Sequence, residues 1–374
     1  MTPVEVRPVR TRSDRRAFLT FPWRVYRGDP LWVPPLLPAR ARVIDPARGS
    51  FFQRGQADFF IAWRGREPVG TICAAEDPPT NAVRRRRESV FGFFEYLDDK
   101  EAAAALVREA ADWARQRGLD ALYGPFNLDY EDSYGVLLEG RDRPPELLCA
   151  HSPAYYPATM EQLGFEPARA DNLAFAVGTN TPHVKRLSRV ADKVRARGHV
   201  HIRQADLAQW DQEIDRVHHL LNVGLLHLSD FIGWHRSEVE ATLAQFRSIA
   251  DLELVLFAEV DGETVGWLAA IPNLNEHLIH ANGLRYPWDY ARLWWRSRRR
   301  PECVCLKSVV VLPEYWNRGV GIVLFDELAR RAIAKGYRWF DLSVTSADNP
   351  ATPLMAEHMG ATIYKRYRVY RMTI

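Results

Sequence analysis

Along the chain, short runs in which every second residue is apolar alternate with longer runs whose apolar residues stand three and four apart. The first period belongs to half-buried strands and the second to amphipathic helices. Residues 4–9 predict a strand and 14–26 a helix. Residues 30–46, rich in proline and aromatics, predict an ordered loop laid over the core. Then come a hairpin (59–63 and 69–75) turning at Arg64-Gly65-Arg66, a basic loop tip at 84–87, a strand over 89–97, a helix over 101–117 and a strand over 121–124. Gly118 suits the left-handed residue that ends many helices. A long polar and aromatic stretch, 127–145, precedes a short helix over 156–163 and a strand region over 165–177. A breaker run, 178–182, leads into a polar helix over 183–197, and the pattern then restarts. It gives a strand at 201–203, helices at 207–221 and 237–246, and a hairpin (252–260 and 265–271) turning at Asp261-Gly262. After an insertion over 272–301 come a strand at 303–312 and a helix reaching Lys335 with Gly336 as its cap. A strand at 339–345, a helix at 350–359 and a last strand at 362–372 close the chain.

The restart is a repeat. Ile61-Ala62-Trp63 with Glu67-Pro68-Val69-Gly70 lies without gaps on Phe257-Ala258-Glu259 with Glu263-Thr264-Val265-Gly266. Leu106, Glu109 and Gly118 share their spacing with Leu324, Glu327 and Gly336, and Gly164 matches Gly360. The expected division is a first unit over 1–178, a helical connector over 179–198 and a second unit over 199–374, each an α/β layer structure.

In the second unit the run Val309-Val310-Val311-Leu312-Pro313-Glu314-Tyr315-Trp316-Asn317-Arg318-Gly319-Val320-Gly321 is a buried strand, a proline-stopped turn and the start of a helix. First-turn N–H groups have no intrahelical partner and attract anions. Glycines there let a phosphate approach the backbone. This run resembles the acyl-CoA-binding motif of the GNAT superfamily of N-acyltransferases, Val-x-Pro-x-x-Arg/Gln-x-x-Gly-x-Gly/Ala. Asn349, eleven residues before Gly360, matches the family's Asn-x-x-Ala-x-x-x-Tyr-x-x-x-Gly. Two positions depart: Trp316 stands at the Arg/Gln place and Ala356 at that of the tyrosine.

The resemblance implies two tandem GNAT units with mixed central sheets flanked by helices. It further implies an acyl-CoA cosubstrate, most simply acetyl-CoA, whose acyl group passes to an amine of a small molecule by direct attack, without an acyl-enzyme and without a metal. It assigns pantetheine to the backbone of Val309 and Val311, the diphosphate to Arg318, Gly319, Val320, Gly321 and Ile322, and a binding role to Asn349. The first unit has Leu97-Asp98-Asp99-Lys100-Glu101 at the phosphate-loop position, and carboxylates at a helix N-terminus repel a diphosphate. One CoA site per chain is expected.

An alkyl ammonium with a pKa near ~10.4 is mostly protonated at neutral pH, a penalty of roughly 4 kcal/mol for ~3 pK units. A general base is worth ~10²–10⁴ in rate. Base candidates are Glu302, Asp348, Glu357 and His358, with a water as the alternative. Asp129, Tyr130, Glu131 and Asp132, in the long segment of the first unit, are expected to receive the acceptor's ammonium.

Composition narrows the picture slightly. A net charge of +3 over 374 residues gives no case for nucleic acid, and the four cysteines lack Cys-x-x-Cys spacing. With no signal-peptide core or membrane-length apolar run, a cytoplasmic location is the default expectation. Residues 286–300, aromatics followed by an arginine cluster, suit a membrane surface or an acidic partner. Three other readings stay open: a non-catalytic acyl-CoA sensor, favoured by Trp316 and Ala356; an aminoacyl or peptidyl transferase of the tandem type; and a nicotinamide enzyme, with Asp341 about where a ribose-binding acid would lie. Acceptor, acyl length and oligomeric state are not written in the sequence.

Overall fold

Two β-sheets carry the chain, and each takes strands from both halves of the sequence. The structure is a computed structural model and describes residues 2–128, 135–227, 231, 233–247, 250–349 and 352–374. The first half runs β1 (Val4–Pro8), α1 (Arg12–Thr20), α2 (Pro22–Val25), α3 (Leu37–Val43), β2 (Gln56–Arg64), β3 (Glu67–Glu76), α4 (Pro78–Arg84), β4 (Glu88–Tyr96), α5 (Lys100–Arg115), β5 (Ala121–Gly124), β6 (Val136–Glu139), α6 (Tyr156–Gln162), β7 (Glu166–Pro167) and β8 (Asn172–Gly178). The second runs α7 (Pro182–Arg195), β9 (Val200–Gln204), α8 (Trp210–Gly224), α9 (Arg236–Phe246), β10 (Val255–Val260), β11 (Glu263–Pro272), α10 (Asn275–Leu278), α11 (Pro287–Arg296), β12 (Cys303–Val311), α12 (Val320–Ala334), β13 (Trp339–Ser346), α13 (Thr352–His358), β14 (Thr362–Arg368) and β15 (Tyr370–Thr373).

The repeat seen in the sequence is present in the backbone. Both hairpins, β2–β3 and β10–β11, carry a register shift at matched places, after Ala62 and after Ala258. The second closes through Asp261 and Gly262, both at positive φ (52° and 85°), the two-residue turn that an Asp-Gly pair favours. Gly118 and Gly336 end α5 and α12 at φ of 73° and 86°. Each sheet is antiparallel except for one central parallel pair, β4–β5 and β12–β13.

The strand order is β1-β2-β3-β4-β5-β15-β7 in one sheet and β6-β14-β8-β13-β12-β11-β10-β9 in the other. The stretch read as one last strand over 362–372 therefore breaks at buried Val369: β14 stays in the second sheet and β15 crosses to the first. Reciprocally, β8 leaves the first half and lies between β13 and β14. Alternating apolar residues specify a strand and its buried face; they do not say which sheet it joins. Helix α3 lies within the stretch expected as loop, and α4, capped by Asp77 on the Thr80 N–H, ends at the first arginine of the basic run.

The second core packs α7, α8 and α12 against the sheet through Ile214, Val217, Leu220, Leu324 and Leu328. Buried Asp326 of α12 receives Arg330 (2.8 Å), Ser188 and Arg195, the last two from α7. This fixes the connector helix beside the glycine turn.

Candidate active site

β12 and β13 are bonded only over Cys303–Trp339, Val304–Phe340 and Cys305–Asp341. Past that point β13 follows β8, pairing Val344 with Ala174. The cause is local: Ser343 has a left-handed φ of 61°, and its N–H donates to Asp341 Oδ1 at 3.1 Å. On β12 the register against β11 slips, leaving Lys307 as a bulge between Leu306 and Ser308. A fork opens between the strands, with Cys305 and Asp341 at its vertex.

Above the open end stands α12. A 3-10 turn, Pro313–Arg318, delivers Gly319 at φ 78°, and no side chain caps the helix. A Cβ on Gly319 would lie 2.8 Å from Val194 of α7, so both the backbone and its neighbour require glycine. At Gly321 the nearest atom to an added Cβ is Val311 Cγ2 at 3.9 Å, so the space before it is open. The first intrahelical bond at this end runs from the Val323 N–H to Gly319 O (3.1 Å), so Val320, Gly321 and Ile322 are the first-turn donors. Exposed Arg318 sits over the Tyr315 ring at 4.9 Å. Val309 and Val311 are half-buried on the fork strand, and Val311 O accepts the Trp316 indole N–H at 2.7 Å. Asn349 Oδ1 accepts the Thr352 N–H at 3.0 Å and so begins α13.

The first unit has the same plan with its fork closed. The Phe126 N–H donates to Phe91 O (2.8 Å), and Asn127 Oδ1 accepts the Phe93 N–H (2.7 Å), so the chain after β5 bonds the very backbone a ligand would use. A Cβ on Gly92 would lie 1.7 Å from Phe126 O, so only glycine admits this closure. The helix end is filled too: Asp99 accepts the Ala102 N–H, and Arg64 bonds Asp99 and Glu101, both at 2.8 Å.

Of the base candidates, Glu302 lies just before β12, exposed and paired with Arg338 at 3.1 Å. Asp348 is exposed and accepts the Ser346 hydroxyl at 2.5 Å, while Glu357 and His358 are exposed on α13. The structure does not gather these four into one cluster. Asp129, Tyr130, Glu131 and Asp132 lie outside the described residues. The same long segment nevertheless reaches the second unit: β6 pairs with β14, and residues 142–146 line a cleft of about 430 Å³ together with Asn273, Asn275, Glu276, Ile279, Glu302 and Trp339.

What the sequence reading missed is a buried ionisable group at the vertex. Tyr364 Oη lies 2.8 Å from Asp341 Oδ1 and 2.8 Å from Glu146 Oε2, and both acids are buried. A phenol has one proton, so the second short contact needs a proton on one of the carboxyls. The three groups thus hold two protons and one negative charge. Burial, reinforced for Glu146 by the charge of Asp341, pushes both carboxyls above their usual range. Lys307 Nζ stands 4.0 Å from Asp341 Oδ2 and donates to Leu147 O at 2.6 Å. Asp341 sits buried at the vertex of the fork and Glu146 lines the cleft, so the chain of oxygens runs from the one toward the other. The signal was an acid inside an otherwise apolar strand, Trp339-Phe340-Asp341-Leu342, a place where an unpaired charge is costly.

A model of the acetyltransferase (GNAT) family matches residues 220–361. The bacterial ceramide synthase of Caulobacter vibrioides (strain NA1000 / CB15N) is 30% identical over 377 residues, covering 99% of this chain and 98% of that protein. Protein YghO of Escherichia coli (strain K12) is 30% identical over 383 residues, covering 99% of this chain and 95% of its own. Among solved structures, a tandem GNAT protein from the clavulanic acid biosynthesis pathway superposes with a TM-score of 0.56 at 13% identity, covering 99% of this chain and 98% of that one.

Proposed function

The chain belongs to the GNAT family of acyltransferases, in its tandem form, and on that premise we propose that it transfers a fatty acyl group from acyl-CoA to the amine of a lipid-like amino alcohol, forming an amide. The observation that carries the donor side is the contrast between the two forks. One has an uncapped glycine turn above an open gap; the other is closed by Phe126, Asn127, Asp99 and Arg64. Acyl-CoA supplies the activated thioester. The Val320, Gly321 and Ile322 N–H groups would take its diphosphate, and the edge of β12 that β13 leaves past Cys305 would take its pantetheine arm. One CoA site per chain, in the second unit, follows.

The acceptor side rests on the relative named a ceramide synthase, which matches over nearly its whole length. A ceramide is the amide of a fatty acid and a long-chain amino alcohol, so this reading replaces the acetyl group and small soluble amine of the sequence expectation with longer partners. The cleft beside Glu146, built from both units, is where the acceptor would enter. Asp341, ionised at the vertex, takes the ammonium proton; Glu146 gives the proton it already holds to the cleft, Tyr364 passes its own to Glu146, and Asp341 hands the new one to Tyr364. The second proton that the nitrogen loses on attack would leave with the CoA thiol. Within the relay, the two transfers through Tyr364 run between oxygens 2.8 Å apart. Cys149 and Cys303 have no nucleophilic part in this scheme, because burial pushes both thiols up.

The test is competition between acceptors. With a fatty acyl-CoA, a long-chain amino alcohol should give a kcat/KM at least about tenfold above that of a short amino alcohol, each CH₂ buried being worth ~0.8 kcal/mol. Equal values, or a preference for acetyl-CoA and the short amine, would return the reading to small-molecule acetylation.

A further inference from the structure

Helix α11 is inside out. Its inward positions are Asp289, 1% exposed, with Leu293 and Arg296 half-buried. Facing out are Trp288 (61% exposed), Tyr290 (52%), Trp294 (61%) and Trp295 (52%), with Tyr286 just ahead of the helix. Trp288, Arg292 and Trp295 fall on one line of the helix, and Tyr290, Trp294 and Arg298 on the next, at the three- and four-residue spacing that makes helical neighbours. A soluble helix turns such residues inward, and a contiguous exposed aromatic stripe marks a contact surface.

The charge around the stripe is of one sign. Between Tyr286 and Arg300 stand five arginines and one acid, Asp289, which is buried and accepts the Tyr286 N–H at 3.0 Å. Arg298 lies 3.8 Å over the Trp294 ring, and Arg296 and Arg299 lie 5.5 Å over Trp295, so cations border the aromatics. Arg300 is tied to Lys335 O at 2.8 Å, which holds the end of the segment on the second unit. At the other end, Trp23 of α2 donates to Asn282 Oδ1 at 2.7 Å, and Arg285 stacks on Trp23 at 4.8 Å. The platform is thus anchored to both units. No helix among the described residues is long and apolar enough to cross a membrane.

We propose that α11 and the arginines after it dock the protein on an anionic bilayer surface, with the tryptophans at headgroup depth and the arginines among the phosphates. Tryptophan and tyrosine favour that interface because one end of each ring system is apolar and the other polar. The stripe lies beside the acceptor cleft: Asn275, Glu276 and Ile279 line the cleft, and α10, which carries the first two, packs against α11. Docking there would hold the cleft against the leaflet that supplies a lipid amine; this second half rests on the lipid-acceptor reading above.

The experiment is flotation of the full-length protein with vesicles of phosphatidylcholine alone, and of phosphatidylcholine with one quarter phosphatidylglycerol. Wild type should float with the anionic vesicles and much less with the neutral ones. Replacing Arg298, Arg299 and Arg300 by glutamine should weaken anionic binding by roughly fivefold per arginine. Trp288→Ala with Trp294→Ala and Trp295→Ala should abolish flotation while leaving the melting temperature unchanged, because those rings pack on solvent. A wild type that stays at the bottom of the gradient overturns the proposal, as does a triple tryptophan variant that floats normally. A wild-type dimer that the tryptophan variant turns into a monomer, without vesicle binding by either, also overturns it and gives the stripe to a second copy of the chain. Thiol release from a fatty acyl-CoA with detergent-dispersed long-chain amine is followed in parallel. Turnover without flotation removes the docking surface and leaves the acceptor reading; flotation without turnover does the reverse.

Discussion

Gly321→Glu isolates the donor site from the fold. The position has room, since an added Cβ meets nothing nearer than Val311 Cγ2 at 3.9 Å, so the substitution leaves the packing of α12 intact. It places a carboxylate in the first turn of a helix that has no side-chain cap. A lone acid there is mildly favourable to the helix, by about 0.3–1 kcal/mol. Toward a diphosphate it is repulsive: two negative charges at ~5–6 Å from a third, at an effective dielectric of about 30–60, cost roughly 2–4 kcal/mol. That is a loss of ~30–1,000-fold in affinity. Gly321→Ala adds volume without charge and should stay within about threefold of wild type. Calorimetric titration of CoA into the three proteins gives stoichiometry and affinity together, with a melting curve on each. One site per chain, near-normal binding by the alanine variant and none measurable in the glutamate variant are expected. Undiminished binding by a normally folded Gly321→Glu protein, or two equivalent sites in wild type, would refute the reasoning. Asp99→Ala in the first unit should create no second site, because Phe126 and Asn127 still close that fork.

Tyr364→Phe cuts the chain of oxygens between Asp341 and Glu146 and should lower kcat by about 10²-fold with CoA affinity unchanged; a change in acceptor KM alone would speak against the relay. Trp316 donates to Val311 O, and an arginine there can add a charge-assisted bond to phosphate worth about 1.5–3 kcal/mol, so Trp316→Arg should bind CoA as well as wild type or better in the same titration, and a tenfold loss would contradict this. Glu95 of β4, half-buried and held by Tyr26 and Tyr156, is raised from 4.5 to about 7 by desolvation, against the two phenol donors. Its folded form binds a proton more tightly than its unfolded form, so this group's contribution falls as pH rises from about 4.5 to about 7 and the full cost, up to ~3 kcal/mol, is present above. Glu95→Gln should therefore raise the melting temperature by several degrees near pH ~8 and flatten its decline across that window; an unchanged melting curve would remove Glu95 from the pH dependence.

Much of this was legible locally. The hairpin turn at Asp261-Gly262 and the glycine caps at 118 and 336 follow from residue types that only a few backbone conformations accept. The glycine turn above the fork was legible for the same reason: a proline, two glycines and a buried strand at fixed spacing leave little choice. Two things were not. The exchange of β8 and β15 between sheets depends on which edge each strand meets, and that is decided by residues nearly two hundred positions away. The Asp341–Tyr364–Glu146 chain draws on three separate elements; in the sequence Tyr364 and Glu146 read as ordinary strand and loop residues, and Asp341 as no more than a possible ribose-binding acid. Sequence separation hid the juxtaposition; only the burial of an acid in an apolar strand hinted at it.

The most direct test is a quenched-flow experiment that mixes the protein with a fatty acyl-CoA, adds a long-chain amino alcohol in the second push, and weighs every species by mass spectrometry. Direct transfer predicts an unmodified protein mass before the acceptor arrives, then one N-acyl amide for each CoA released. An acylated protein accumulating before the acceptor, or CoA bound and never released with any amine, would contradict the account.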